Sequence, residues 1–220
     1  MSKVAAKDGF RESLQKVRPI LMREPLAETL GALESAGVVE YGFVDVVKMA
    51  GHACPTVSAA YLLCQTALDR LYGSEIPVRG DISVTVYGAP DEGVYGVMSQ
   101  VFSYITGAAG STGFNGLGPR FKRKGLLAFK PGESEADDMS FEFKRLDTGD
   151  AVLARFFPGR VPFAPDKAAL LARLMPPVVW EAAPSTDQAQ FKDLWMEKVE
   201  HMLIDRAGIG DWINLETRRA

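Results

Sequence analysis

The chain predicts an α+β fold: an antiparallel sheet flanked by helices, with a long C-terminal helix. Three observations lead there. Strand-like alternation is confined to the middle, in DISVTVYG, GLLAF, SFEFKR and AVLARFF. Helical spacing dominates both ends. Helices and strands do not alternate regularly, as a doubly wound parallel sheet would require. With 47% apolar and 24% charged residues, the 220-residue chain can bury a sizeable core.

Taken in order, residues 1–37 read as a helical segment. Phe10, Leu14 and Val17 keep helical spacing until Pro19. Pro25 then suits a first helical position, Leu26, Leu30 and Leu33 make a stripe, and Gly37 is a stop. VVEYGF (38–43) reads as a short strand, and 45–50 as a brief helix started by Asp45. A small-residue-rich helix follows GHACP and ends at Gly73. VYGVMSQVFSYIT (94–106) is a buried helix. The three later strands are separated by the acidic linker KPGESEADD, an exposed hairpin loop, and by the turn DTGD; they predict an antiparallel meander. Residues 161–220 read as a helical extension: a short helix in PDKAALLARLM, a break at MPPVVWEAAPST, and a last helix over 186–207. Ser185 and Gln188 offer that helix a capping box, and Leu194, Val199, Met202 and Leu203 its buried face.

Composition narrows the function. A net charge of −3 argues against a nucleic-acid partner, which calls for a broad basic face. No run of about 18 apolar residues predicts a membrane span, and the first residues lack the apolar stretch of a secretory signal. The expected location is cytoplasmic, with reduced thiols.

The chain has two histidines and two cysteines, and MAGHACPTV places one of each two residues apart. Pro55 suits the first position of a helix, which makes Cys54 the N-cap. A thiol there meets the positive end of the helix dipole and unpaired amide donors, surroundings that favour thiolate. Gly51 lets the preceding turn bring His52 toward the same point. Imidazole with thiolate suits zinc or another borderline-soft metal, and Cys54 is also a candidate nucleophile; the plain alternative is a cysteine packed in the core. Cys64 reads as core. Zinc needs three or four protein ligands. The third is His201, a carboxylate, water, a small ligand or a group from another subunit, and His201 reads equally as a half-exposed helix residue.

GHACP with its alanine-rich helix resembles the G-H-x-C-P signature of the formylmethanofuran dehydrogenase (FmdE-like) family. A second segment, SYITGAAGSTGFNGLGPRFKRKGLLAF, is similar to that family's T-G-C…G-K-G-N-L region, with Thr106–Gly107 and Lys124–Gly125 at the matching positions and Ala108 in place of the cysteine. The likeness spans residues 38–160. It implies an α+β core, a homodimer, and a metal at His52 and Cys54. The cysteine-built C-terminal zinc finger of many members has no counterpart here.

Gly107, Gly110, Gly113 and Gly116 recur every third residue. Such a loop either wraps a small-molecule or anionic ligand with backbone N–H groups, helped by Thr106, Ser111, Thr112 and Lys124, or is a mobile lid. Arg120, Lys122, Arg123 and Lys124 read as a solvated turn or an anion site. The expected function is therefore a metal-binding protein that holds zinc and a small ligand. An accessory metal or cofactor carrier, or a haem or redox-metal protein, is the alternative.

Overall fold

The structure, a computed structural model, describes residues 9–132 and 138–220. The first eight residues and most of the acidic linker lie outside it, so the linker's reading as a hairpin loop does too. In chain order the elements are α1 (Glu12–Gln15), β1 (Ile20–Arg23), α2 (Pro25–Thr29), β2 (Val38–Tyr41), α3 (Phe43–Ala50), α4 (Pro55–Tyr72), β3 (Ile82–Val86), α5 (Tyr95–Thr106), β4 (Gly116–Leu117), β5 (Phe121–Lys122), β6 (Leu127–Phe129), β7 (Met139–Arg145), β8 (Ala151–Phe156), α6 (Pro165–Val179), α7 (Ser185–Glu200), α8 (Ile209–Trp212) and β9 (Ile213–Arg218). The fold is α+β, as its sequence predicts.

The main sheet has five strands in the order β6-β3-β7-β8-β9. Alternation decides its two faces. Ile82, Val84, Val86, Phe141, Phe143, Val152, Ala154 and Phe156 are buried. They pack beneath α4 and α5, where Phe102 meets Phe141 and Phe143 edge-on at 5.0 and 5.1 Å between ring centres. The opposite face is polar and carries cross-strand ion pairs, Arg155 with Glu216 and Arg218 with Glu142. Such one-sided burial is what antiparallel strands tolerate. Helix α4 is buried on almost every side, from Val57 to Tyr72, and so forms the centre of the core.

Several local expectations are corrected. GLLAF does not continue a meander: β6 pairs parallel with β3, while β3 and β8 flank β7 antiparallel. Helix α5 is the crossover that a parallel pair requires. Residues 1–37 are not helical throughout, because Ile20–Arg23 pairs with Val38–Tyr41 in a ribbon and α2 ends at Thr29, before Gly37. Helix α3 starts at Phe43, with Asp45 accepting from the Gly42 N–H at 3.0 Å. Helix α6 runs through Pro176 and Pro177. The carbonyls that the two prolines leave without donors belong to Ala172 and Arg173, which are exposed, so water replaces the lost bonds. Pro184 holds the N-cap of α7, and Gln188 donates to the Ala183 carbonyl at 2.9 Å, so Ser185 and Gln188 form no capping box.

The stretch 161–220 is not an all-helical extension. A π-helical turn (His201–Asp205) follows α7, and β9 then pairs with β8. Val199, Met202, Leu203, Trp212 and Ile213 join the main core, whereas Leu171, Leu174 and Leu194 form a small cluster between α6 and α7. Among the described residues no helix is long and apolar enough to cross a membrane.

Candidate functional site

The GHACP turn is built by two helix ends. Gly51 closes α3 in the left-handed conformation (φ +77°), its N–H reaching the Val47 carbonyl at 2.8 Å. Only a residue without Cβ adopts that conformation at no steric cost. Cys54 is extended (φ −150°, ψ 166°), Pro55 opens α4, and the Cys54 sulfur accepts the Val57 N–H at 3.4 Å. The thiol is thus the N-cap that the sequence predicts, and the residue is 8% exposed. His52 is exposed, with Nδ1 3.0 Å from the Ala50 carbonyl oxygen. A carbonyl only accepts, so Nδ1 carries the proton and Nε2 keeps its lone pair. Between them, the Ala53 carbonyl accepts the indole N–H of Trp195 at 2.8 Å, which ties the turn to α7.

His201 is placed elsewhere. Its Nδ1 lies 3.1 Å from Asp205 on the π-helical turn, and its Nε2 is enclosed without a partner among the described residues. The described residues gather no group of three or more His, Cys, Asp or Glu side chains able to hold a metal. His201 therefore does not complete a three-ligand cluster with His52 and Cys54. No family model, curated protein or solved structure matches this chain. Cys64 is fully buried in α4, where burial pushes its thiol well above the usual range and leaves it a packing residue.

The glycine-rich segment divides. Its first residues face inward. Thr106 is fully buried; its hydroxyl donates to the Phe102 carbonyl at 2.7 Å and accepts from the Ala108 N–H at 3.2 Å. Gly107 (φ +74°) caps α5, and a Cβ there would overlap the Arg123 guanidinium. Both residues brace the base of the loop and have no face left for a ligand. Ser111 and Thr112 are exposed and form one wall of a cleft of about 870 Å³. Its other walls are α5 and β6, and neither His52, Cys54 nor Lys124 lines it. The loop accordingly lies over α5 and β6, not as a lid over the GHACP turn.

The basic turn is not uniformly solvated. Arg123 is 2% exposed and donates to Glu24 at 2.6 Å, and Arg79 donates to the other Glu24 oxygen at 2.7 Å. Arg79 also reaches the carbonyls of Tyr104 and Ile105 at 3.0 and 3.1 Å. Burial pushes the Glu24 carboxyl up, but its hydrogen bonds and charge attraction to Arg79 and Arg123 outweigh this and hold it below the usual carboxylate range. This triad joins the N-terminal segment to the base of the glycine loop. Sequence reasoning missed it because the two arginines stand 55 and 99 residues from Glu24 and share no pattern with it. The one trace is glycine at 80 and 107, the two positions where a side chain would strike Arg123.

Proposed function

We propose that the chain binds a transition metal, zinc in the first instance, between His52 Nε2 and Cys54 Sγ, as the resemblance of its GHACP turn implies. The observation that carries this reading is the contact from His52 Nδ1 to the Ala50 carbonyl. Metal-bound histidines fix their tautomer in this way, donating the second ring N–H to a carbonyl or carboxylate and leaving the other nitrogen to the ion. The N-capping thiol supplies a softer donor beside it.

Two donors do not make a closed structural zinc site. The remaining positions are filled from outside the single chain, by water, a small ligand or a second copy in a homodimer. Such an open site suits exchange, so an accessory role in passing metal or a cofactor fits the donor set better than a permanent structural ion. In either role the metal, when bound, would supply Lewis acidity, and Cys54 a nucleophilic sulfur.

Metal analysis of the untagged protein tests the reading. Zinc should copurify or bind on addition, and His52→Ala and Cys54→Ser should each remove it while His201→Ala keeps it. Unchanged zinc in both of the first two variants would end the proposal. A Soret band would assign the site to haem instead.

A further inference from the structure

The two edges of the main sheet are treated differently. Strand β9 presents Glu216 and Arg218, both exposed, on one edge. Charged side chains are a common guard against unwanted strand pairing. Strand β6, on the other edge, is Leu-Ala-Phe and carries no charge. Its parallel register with β3 uses the peptide groups of Leu126, Ala128 and Lys130, as the bonds from Val84 N–H to the Leu126 carbonyl (2.7 Å) and from Lys130 N–H to the Val86 carbonyl (2.8 Å) show. The peptide groups of Leu127 and Phe129 therefore point away from the sheet. The glycine loop takes one of them, since the Leu127 N–H reaches the Ala109 carbonyl at 3.2 Å. Past Ala109 the loop leaves the edge, and the cleft of about 870 Å³ opens over β6.

We infer that this cleft binds an extended, uncharged peptide segment as an added strand on β6. The Phe129 N–H and carbonyl, with the Leu127 carbonyl, are open among the described residues and offer the alternating donor and acceptor row that strand addition uses. The walls choose the occupant. They hold Val97, Gln100, Ser103, Ser111 and Thr112 and no charged side chain, so nothing in the cleft would neutralise an acidic or basic partner. The edge lies at the bottom of a cleft between α5 and the loop. A single chain about 5 Å wide fits there, whereas the sheet edge of a second folded copy would meet the walls first. This site is separate from the His52–Cys54 turn and stands or falls independently of it.

The test is an amide proton–nitrogen NMR titration of the full chain with a panel of doubly blocked five-residue peptides of alternating Val and Thr. Shifts are expected at Leu127 to Lys130, Ser111 and Thr112, with the Phe129 amide becoming slow to exchange. N-methylation of alternate peptide bonds in the ligand should abolish them. Ala128→Lys, at an exposed position on the strand, should weaken binding about tenfold or more while leaving the melting temperature near wild type. No shift at millimolar peptide, or equal binding of the N-methylated panel, would overturn the inference. A fall in hydrodynamic mass on Ala128→Lys would assign the edge to a second copy and overturn it equally.

Discussion

Glu24 holds two guanidinium groups, and replacing one carboxylate oxygen breaks the balance. Glu24→Gln leaves Arg79 and Arg123 without their anion in a site where Arg123 is 2% exposed. Breaking a buried pair from one side costs about 3 kcal/mol, which denaturant unfolding at neutral pH would show. The pH dependence has a definite sign. The folded Glu24 carboxyl is held below its unfolded value, so its contribution is present above about pH 4.5 and is lost as pH falls through the folded value. Wild-type stability should therefore fall more steeply below that pH than the stability of Glu24→Gln. The two cysteines give a second prediction. Cys54 sits at a helix entrance and is 8% exposed, whereas Cys64 is fully enclosed. Iodoacetamide on the native protein should alkylate Cys54 alone, as read by peptide mass, and zinc should slow the reaction. At this scale legibility follows local chemistry. The Cys54 cap is readable because proline fixes its neighbour's backbone; the burial of Arg123 is not, because it depends on partners brought together only by the fold.

Helix α7 reaches the GHACP turn through one hydrogen bond, from the Trp195 indole to the Ala53 carbonyl. Trp195→Phe keeps most of the apolar contact and removes the donor. It should cost about 1 kcal/mol and speed amide exchange over 51–54, and it should weaken zinc binding without touching either donor side chain. No change in either quantity would mean that the turn is rigid without α7. Elements with strong internal periodicity are legible: α4, α5, β7 and β8 lie where their patterns place them. The failures have one cause, interactions outside the segment. Helix α6 crosses Pro176 and Pro177 because its outer face is wet. Strand β1 forms beside Pro19 because β2 pairs with it, burying Ile20 and Met22. The parallel place of β6 is set by the α5 crossover, which no property of GLLAF encodes.

At the scale of the whole molecule, the sheet is completed by residues from near the end of the chain. Strand β9 covers the edge of β8, and Trp212 and Ile213 enter the core at 1% and 5% exposure. INLETR reads poorly as a strand because its charges face solvent and one neighbour supplies all its pairing. Deleting residues 208–220 should open the β8 edge and remove a large aromatic from the core, giving aggregation in size-exclusion chromatography and loss of a cooperative melt. Such a result would also show that residues 161–220 fold with the core and not after it. The three tryptophans have a further consequence, since they occupy three distinct environments: Trp180 is 72% exposed, Trp195 is part-buried against the turn, and Trp212 is sealed. Intrinsic fluorescence is thus spatially sorted without any added dye. Acrylamide should quench the red-edge emission of Trp180 first and spare Trp212. Any ion or adduct that shifts the Ala53 carbonyl should register as a change in the intermediate component.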